Sequence, residues 1–331
     1  MILEEKKLIE IFRGVVEITR DEEGYFTPHR FDAAQRQTYR TKSIDKEGFF
    51  RKCHSGSGVR MMMDTDSETL SLAYRADRAS SRDYFGFDLY IDGVLCEHLQ
   101  QTYENGRYGT LTFSLGKGKK RICLYFPWSA QIDVKNISLD DGAFCQGVPS
   151  QKRMLCFGDS ITQGYDASYP SFAYANRLAD LLGVEAVNKG IGADRYFPAL
   201  LDTCESFTPE YITVAYGTND WASNSRETFL RDSKAFLDAL CLQYPEAKIF
   251  LLAPIWRADW KNVTGVGDFE DVCKVLESNA ADKPNCVVIN CVDLTPRLPE
   301  FYSDRFLHPN DQGFLLYAEG VYRRMLPYLA K

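Results

Sequence analysis

The sequence predicts an α/β protein in two parts, an antiparallel β-sandwich of jelly-roll type followed by a three-layer α/β/α domain on a parallel sheet. Between about residues 10 and 148, apolar and polar side chains alternate in short runs separated by turns, which is typical of antiparallel strands. From about residue 152, apolar β-rich runs alternate with helical patterns, which indicates a parallel sheet covered by helices on both faces.

The N-terminal half shows several clear strand-like runs. They are Val59–Met63, Leu70–Tyr74, Phe87–Ile91, Thr110–Leu115, Arg121–Phe126 and Ile132–Ile137. The segments Asp92-Gly93 and Gly116–Lys119 predict hairpin turns, because glycine and aspartate accept the positive φ that such turns need. The segment Gly147–Gln151 indicates a short linker, so we expect domains at residues 1–148 and 152–331.

The C-terminal half is expected to supply a parallel sheet and its covering helices. The predicted strands are Met154–Phe157, Glu185–Asn188, Tyr211–Tyr216, Lys248–Ala253 and Cys286–Cys291. The predicted helices are Tyr169–Leu182, Arg195–Cys204, Ser225–Tyr244, Gly267–Asn279 and Asp311–Leu326. Loops that follow these strands should open at the carboxyl edge of the sheet, where the ligands and nucleophiles of such sheets lie.

Composition and charge argue against several classes of protein. The 46 acidic and 39 basic residues give a net charge of −7, which argues against nucleic acid or an anionic membrane as a partner. The sequence contains no run of about 18 apolar residues, so no transmembrane helix is expected. The charged N-terminus does not resemble a signal peptide. The ten cysteines form no Cys-x-x-Cys pair, which argues against zinc and favours reduced thiols in a cytoplasmic protein.

Ser160 is the first candidate for chemistry. It lies in Gly158-Asp159-Ser160, where a strand-like run ends and a helical segment begins. A serine delivered to this edge is placed as a nucleophile, but its hydroxyl needs a base to remove the proton. Asp and Ser also cap helices well, so a structural role as turn and N-cap is the alternative.

His308 is the single histidine of the C-terminal half, and it comes just before the last predicted helix. Its ordinary pKa suits a general base at neutral pH. Pro309 disfavours a helical conformation of the residue before it, so the ring is free to point away from the helix. Asp304 is close enough in sequence to bond the other ring nitrogen, which is the third role in a catalytic triad.

Two further loops follow predicted strands and offer hydrogen-bond donors. The backbone of the loop containing Gly192 and Ala193 can aim N–H groups at a developing negative charge, and the side-chain amide of Asn219 is a neutral donor. Gly and Asn are also the usual turn residues after a strand. Taken alone, each loop is better explained as a turn. The combination of both loops with Ser160 and His308 is a far more specific indication of a catalytic site.

These four segments resemble the four motif blocks of the SGNH (GDSL-type) hydrolases, in the same order and with similar spacing, over residues 153–331. The resemblance implies that Ser160 is the nucleophile, that His308 is the base, and that Ser160 N–H and Asn219 are oxyanion donors. In the N-terminal half, Gly86–Tyr90 resembles a Gly-x-Asp-Leu-Tyr signature of a β-domain that precedes some of these hydrolases. This domain order is similar to that of carbohydrate esterases.

Two positions depart from the family pattern. The second block ends in Ala193 where the family has glycine, so the backbone N–H is retained only if a residue with a Cβ tolerates the required φ. The fourth block has its aspartate four residues before the histidine, at Asp304, and Arg305 stands at the usual position. Either a one-residue bulge restores the contact with His308, or a backbone carbonyl orients the ring.

Four residues near the predicted edge are candidates for binding substrate. Trp221 and Trp256 are candidates to stack on a sugar or to wall a small acyl pocket. For Arg257, substrate binding and a structural pair with an aspartate weigh equally. Asp159 is expected to bond loop backbone. Aromatic residues of the N-terminal half either stack on sugars or fill its core or its contact with the C-terminal domain, and we favour this packing role. They are Tyr84, Phe85, Tyr103, Tyr108 and Trp128.

Taken together, the sequence predicts a serine ester hydrolase that needs no metal or organic cofactor. By resemblance, the expected substrate is a small acyl group, acetyl above all, on a carbohydrate. A lipase, lysophospholipase or thioesterase with the same triad is one alternative. A carbohydrate-binding protein with a degenerate hydrolase domain is another, from a different class. The sequence does not indicate an oligomeric state.

Overall fold

The computed structural model describes residues 1–149 and 152–329. Its strands are β1 (Phe12–Arg13), β2 (Glu17–Arg20), β3 (Phe26–His29), β4 (Arg60–Thr65), β5 (Thr69–Arg78), β6 (Tyr84–Ile91), β7 (Val94–Thr102), β8 (Tyr108–Ser114), β9 (Lys120–Tyr125), β10 (Ala130–Leu139), β11 (Cys145–Gly147), β12 (Arg153–Gly158), β13 (Glu185–Gly190), β14 (Tyr211–Ala215), β15 (Lys248–Ala253) and β16 (Cys286–Asn290).

The α-helices are α1 (Glu5–Ile11), α2 (Ala33–Lys42), α3 (Lys46–Cys53), α4 (Tyr103–Gly106), α5 (Ser160–Gln163), α6 (Tyr174–Leu182), α7 (Thr218–Ser223), α8 (Arg226–Gln243), α9 (Asp271–Ala280) and α10 (Asp311–Met325). Short 3₁₀ helices lie at Pro170–Phe172, Pro198–Asp202, Pro299–Phe301 and Leu326–Tyr328. Among the described residues, no helix combines the length and apolar character needed to cross a bilayer.

The described chain forms two compact units that do not follow the chain order strictly. One unit comprises residues 1–32, 51–149 and 169–171, and the other comprises residues 33–50, 152–168 and 172–329. The domain boundary expected near residue 150 stays a prediction. Within the expected linker Gly147–Gln151, Gly147 ends β11, and Ser150 and Gln151 lie outside the described residues.

The first unit contains two antiparallel sheets, which confirms the sandwich predicted from the alternating runs. One sheet has the order β1-β4-β9-β6-β7 with β11 also paired to β4, and the other has the order β2-β3-β10-β5-β8. In β5 every second residue between Leu70 and Asp77 is buried. Buried Leu, Ile, Val, Met and Phe side chains from strands of both sheets form one core.

The aromatic side chains of this unit serve mainly to fill its core. Phe85 is fully buried and packs against Tyr103, with ring centroids 5.2 Å apart. Trp128 is also buried and meets the edge of Tyr84 at 6.0 Å. Tyr108 differs, because 61% of it is exposed.

The turn prediction is right at one place and wrong at another. Asp92 and Gly93 have φ of 51° and 81° and join β6 to β7 as a hairpin. Gly116–Lys119 instead connects β8 to β9, which belong to different sheets, so this turn is a crossover between the layers of the sandwich. Positive φ at a glycine is needed in both cases, and local chemistry therefore does not distinguish them.

The second unit is built on a parallel sheet of order β13-β12-β14-β15-β16, which confirms the predicted α/β class. Strands β12 to β15 are buried on both faces, as expected of a sheet between helical layers, whereas the edge strand β16 is only partly buried. Each predicted strand of this sheet is found within two residues of its expected ends. Strand β12 pairs with β13 on one side and with β14 on the other, so the loops after these three strands emerge together.

The helix expected at Arg195–Cys204 is wrong, since only Pro198–Asp202 is helical and it is a 3₁₀ turn. Phe197 precedes proline and has ψ of 82°, because a proline disfavours the helical conformation of the residue before it. The predicted helix at Tyr169–Leu182 is also shorter, and it begins at Tyr174 after a separate 3₁₀ turn.

Helix α2 was not predicted, and it belongs to the second unit although it lies in the N-terminal half of the chain. Its Gln35 donates to Glu205 Oε1 (2.7 Å) and accepts from Lys189 Nζ (2.8 Å). Lys189 and Glu205 also form an ion pair of 2.8 Å whose side chains are at most 2% exposed. This buried polar network fastens α2 to β13 because each charged group keeps a partner.

Candidate active site

The loops after β12, β13 and β14 meet at one edge of the parallel sheet. Gly158 pairs in register with Gly190 on one side and with Ala215 on the other. The N–H of Ile191 then donates to the carbonyl of Gly158 (3.0 Å), which continues the pairing past the strand ends. Ser160, Ala193 and Asn219 follow within two to four residues of these positions, so the three predicted loops lie together.

Two glycines permit this close approach of backbone to backbone. A Cβ at Gly158 would overlap Thr162 Oγ1 and lie 3.1 Å from the carbonyl oxygen of Ala215. A Cβ at Gly190 would overlap the backbone nitrogen of Gln163. Larger residues would therefore separate α5 from the sheet, and the serine that begins α5 would move with it.

Ser160 is the first residue of α5, a single helical turn, and it is 6% exposed. The carboxylate of Asp159 accepts the N–H of Ile161 (2.9 Å), as expected of a residue that bonds loop backbone. Burial raises the pKa of Asp159 to about 6. Gly164 ends the helix with φ of 104°, so the turn is fixed at both ends.

His308 lies between the serine and a carboxylate. Its Nε2 is 2.9 Å from Ser160 Oγ, and its Nδ1 is 2.7 Å from Asp304 Oδ2. Because a carboxylate can only accept, the proton belongs on Nδ1, and Nε2 is left to accept the hydrogen of the serine hydroxyl. This tautomer is the one that a general base beside a serine requires.

The extra residue between Asp304 and His308 is accommodated by the backbone. Arg305 adopts a left-handed conformation with φ of 55°, and a bridge between Tyr302 and Pro309 closes the loop. Asp304 Oδ1 accepts three backbone N–H groups at 2.7–3.0 Å, while Oδ2 faces the imidazole. The loop therefore brings the Asp304 carboxylate to His308 Nδ1 despite the extra residue, as the bulge alternative expects.

The carboxyl of Asp304 has a lowered pKa. Partial burial by itself raises the pKa of this carboxyl, but the hydrogen bonds from His308 and from the N–H groups of Leu307 and Phe306 outweigh burial. The net result is a pKa well below the usual range. A permanent negative charge next to Nδ1 favours the imidazolium that forms when Nε2 takes a proton.

The loop after β13 offers one N–H to the site. Gly192 N–H donates to Gln163 Oε1 (2.7 Å) and is therefore committed to the loop itself. Ala193 is exposed and has φ of 71°, a left-handed conformation that costs a residue with a Cβ about 1–2 kcal/mol. Among residues 1–149 and 152–329, no hydrogen bond occupies the N–H of Ala193 or of Ser160.

Asn219 is held by the same loop. Its Nδ2 donates to the backbone carbonyl of Asp194 (3.0 Å), which uses one of the two amide hydrogens and fixes the plane of the amide. Asp194 is itself buried, and its Oδ2 accepts from the hydroxyls of Tyr39 (2.7 Å) and Tyr216 (3.2 Å). Burial raises the pKa of Asp194 to about 7.

Residues 156–316 match the model of the GDSL-like lipase/acylhydrolase family, and this segment contains the serine, the histidine and both donor loops. The chain carries a GDSL-like lipase/acylhydrolase domain. The acylhydrolase domain is of the ester-hydrolase type that the four motifs predict. Among curated protein sequences, no relative matches significantly.

Several solved structures share the fold at low sequence identity. A salicylyl-acyltransferase, SsfX3, from a tetracycline biosynthetic pathway is 22% identical with a TM-score of 0.81, over 96% of this chain and 94% of that one. A GDSL-like lipase from Bacteroides ovatus is 18% identical with a TM-score of 0.76, over 99% and 97%. A family 2 carbohydrate esterase from Clostridium thermocellum, in complex with cellohexaose, is 16% identical with a TM-score of 0.63, over 82% and 94%.

The predicted substrate contacts are largely internal to the acylhydrolase domain. Trp221 is 1% exposed, and its indole N–H donates to the carbonyl of Gly267 (3.0 Å), so it offers no face to a sugar. Trp256 is also buried and packs on Tyr302 at 4.9 Å. Arg257 binds Asp259 through two nitrogens at 2.5 and 3.1 Å, so its structural alternative is the one observed.

Three residues near the imidazole were missed by the sequence reasoning. Tyr165 stacks on His308, with centroids 5.6 Å apart and planes at 29°, and Asp166 Oδ2 is 3.7 Å from His308 Nδ1. Both directly follow Gly164, so the end of the serine motif was the available signal. Phe306 is 39% exposed and lies in the histidine loop. Its closeness to His308 in the sequence was the signal that could have identified it.

Replacing Ala193 with glycine is expected to raise the free energy of unfolding of the acylhydrolase domain by up to about 1 kcal/mol, because glycine relieves the left-handed strain. If the site uses only the N–H at this position, kcat/KM for an ester should stay within about twofold. Thermal unfolding and ester kinetics of the variant measure both effects. A large fall in kcat would show instead that the Cβ of Ala193 takes part in the site.

Proposed function

We propose that this chain is a serine esterase that removes a small acyl group, acetyl above all, from a carbohydrate through an acyl-enzyme. The observation that carries the proposal is the unbroken line from Ser160 Oγ to His308 Nε2 (2.9 Å) and from His308 Nδ1 to Asp304 Oδ2 (2.7 Å). In this arrangement Ser160 is the nucleophile, His308 the base and Asp304 the group that orients it.

In the first half of the reaction, Ser160 Oγ attacks the ester carbonyl carbon while His308 Nε2 takes the hydroxyl proton. The carbonyl oxygen becomes an oxyanion, for which the N–H groups of Ser160 and Ala193 and the remaining amide hydrogen of Asn219 are the donors. His308, now an imidazolium held by Asp304, gives its proton to the leaving alcohol. The acyl group is then bonded to Ser160 and the alcohol departs.

In the second half, water attacks the carbonyl carbon of the acyl-enzyme. His308 takes a proton from this water, the same donors stabilise the second oxyanion, and the proton returns to Ser160 Oγ as the ester bond breaks. The products are a carboxylic acid and an alcohol. The chain's own side chains supply every proton transfer in this sequence.

Two observations support a carbohydrate as the alcohol part of the substrate. The chain shares its fold with family 2 carbohydrate esterases, one of which is in complex with cellohexaose, and with an acetyl xylan esterase from Butyrivibrio proteoclasticus. Phe306, two residues from His308, is 39% exposed with the Arg257 guanidinium 5.5 Å from its ring centre, and exposed aromatic rings stack on sugars. Phe306 therefore replaces Trp221 and Trp256 as the aromatic candidate for substrate contact.

For a series of p-nitrophenyl esters, we expect kcat/KM to fall from acetate through butyrate to octanoate. The reason is the proposed small acyl pocket, in which each added methylene beyond its capacity loses packing or clashes. The measurement is initial-rate kinetics of wild type with Ser160→Ala in parallel, followed by acetylated oligosaccharides. Reactivity with a fluorophosphonate should require Ser160.

The outcomes separate the alternatives. A preference for octanoate would favour a lipase, lysophospholipase or thioesterase. A protein that binds sugars but neither reacts with fluorophosphonate nor hydrolyses any ester would be a carbohydrate-binding protein with a degenerate site. Turnover that persists in Ser160→Ala would refute the proposed nucleophile.

Acyl transfer to an alcohol is a second candidate, because the fold match to a salicylyl-acyltransferase covers 96% of this chain with a TM-score of 0.81. The acyl-enzyme is common to both reactions, and the two differ only in whether water or an alcohol attacks it. Adding sugar alcohols to the acetate assay distinguishes them, since a transferase forms the new ester in preference to free acetate.

A further inference from the structure

A second carboxylate faces the nitrogen of His308 that Asp304 orients. Asp166 Oδ2 lies 3.7 Å from His308 Nδ1, and the side chain of Asp166 is only 8% exposed. Tyr165, the residue before it, stacks on the imidazole ring. The segment that follows the serine helix therefore covers both a face and an edge of His308.

The backbone holds Asp166 in this place at a cost. The N–H of Ala167 donates to the carbonyl of Gly164 (3.1 Å), and Asp166 lies inside this turn with φ of 69°. Glycine is the residue that such a position favours, whereas a residue with a Cβ, such as aspartate, is strained there. The hydroxyl of Ser303, next to Asp304, donates to the carbonyl of Asp166 (3.2 Å) and ties the turn to the histidine loop.

One oxygen from each carboxylate and one nitrogen of His308 lie within 4.8 Å of one another, a spacing that also suits a metal ion. Hydrogen bonds already account for Asp304, since Oδ1 accepts three backbone N–H groups and Oδ2 faces His308 Nδ1. The group is therefore better explained by the imidazole that it surrounds than by a cation.

We propose that Asp166 is a positioning residue, a second carboxylate that holds the His308 imidazolium and takes over from Asp304 when that contact is lost. This inference rests on the proposed function of His308 as the base. A shift of about 1 Å brings Asp166 Oδ2 from 3.7 Å to hydrogen-bond distance of Nδ1. With Asp304 in place, Asp166 acts on the imidazolium through its charge at 3.7 Å; without Asp304, it becomes the hydrogen-bond acceptor of Nδ1.

The test is a double-mutant cycle on ester hydrolysis with Asp166→Asn and Asp304→Ala, singly and together. Asparagine keeps the shape and the tolerance for positive φ but removes the charge. Asp166→Asn alone should lower kcat by less than about fivefold. The double variant should fall about 10- to 100-fold below the product of the single losses, which is the size of coupling that residues sharing one partner show.

The loss should lie in kcat, with KM unchanged within about twofold, because the imidazolium exists only after proton transfer begins. Asp92→Asn in the Asp304→Ala background is the matched control, since Asp92 is another turn aspartate with positive φ (51°). Asp166→Gly separates loop formation from charge, because glycine fits the turn without strain. A residue that only shaped the loop would leave Asp166→Gly/Asp304→Ala as active as Asp304→Ala.

If the loss in the double variant lies within threefold of the product of the two single losses, the inference is overturned. The proposed function still stands in that case, provided that the wild type hydrolyses esters. If wild type hydrolyses no ester, proton NMR decides, with the Nδ1–H resonance of His308 identified by its loss in His308→Gln. A downfield resonance that survives Asp304→Ala and disappears on adding Asp166→Asn supports the role. Its disappearance in Asp304→Ala alone overturns it.

Discussion

Replacing His308 with alanine is expected to lower kcat/KM for p-nitrophenyl acetate by about 10⁵- to 10⁶-fold, and replacing Asp304 by about 10³- to 10⁴-fold. His308 Nε2, 2.9 Å from Ser160 Oγ, is the proposed base, so His308→Ala removes the group that takes the hydroxyl proton. Without Asp304, the base remains. The ring loses its 2.7 Å acceptor but keeps Tyr165 against its face and Asp166 3.7 Å from Nδ1.

The measurement is steady-state kinetics of both variants, with melting temperatures to show that each is folded. Asp293→Ala serves as the matched control, because Asp293 is an exposed loop aspartate whose partner is Arg297 (2.7 Å). It should leave the rate unchanged. Equal losses for His308→Ala and Asp304→Ala would contradict the ranking and would make Asp304 indispensable to the base.

The placing of the site was predictable because it depends on strands and on short motifs. Met154–Phe157 and Tyr211–Tyr216 were expected as strands, and β12 and β14 occupy these positions as neighbours in the sheet. Parallel strands have their carboxyl ends at the same edge, so Ser160 and Asn219 lie in adjacent loops. Local sequence decides each of these steps.

The directions of side chains at that edge were not predictable in the same way. Trp221 follows a strand as expected but packs against Phe269, with ring centroids 5.1 Å apart. Arg257 stacks on Trp221 at 4.9 Å and pairs with Asp259. Whether such a side chain faces solvent or core depends on partners distant in sequence, and a single sequence does not reveal those partners.

Helix α2 shows the same limit at the level of fold. Its Tyr39 bonds Asp194, and its Gln35 bonds Lys189 and Glu205, all more than 150 residues away. The surrounding sequence is rich in strands, and nothing local assigns this helix to the second unit. Long-range hydrogen bonds of buried groups decide its place, because each such group must find a partner.

The choice between the candidate oxyanion donors also depends on local geometry, which the spacing of the motifs does not determine. Gly192 and Ala193 were both candidates, and the structure commits the N–H of Gly192 to Gln163. Ala193 has φ of 71° in a loop that is anchored on both sides. The N–H of Gly192 before it bonds Gln163, and the carboxyl of Asp194 after it bonds Tyr39. A residue with a Cβ is thereby held where the family has glycine.

Asn219→Ala is expected to lower kcat by about 10²- to 10³-fold with little change in KM, because the amide hydrogen serves an oxygen that is charged only in the transition state. The reason for this magnitude is preorganisation. The bond from Nδ2 to the carbonyl of Asp194 (3.0 Å) fixes the amide plane before substrate arrives, so no reorganisation is needed during the reaction.

Asn219→Asp provides the sharper comparison with the wild type. The measurement is the kinetics of ester hydrolysis by Asn219→Asp and Asn219→Ala at the same pH. A carboxylate has the shape of the amide but cannot donate, and its charge would repel the oxyanion, so this variant should be less active than Asn219→Ala. Thermal unfolding reports separately on the lost bond to Asp194, which is worth about 1 kcal/mol. If Asn219→Asp kept more activity than Asn219→Ala, the side chain would act on the loop of Ala193 and Asp194 and not on the oxyanion.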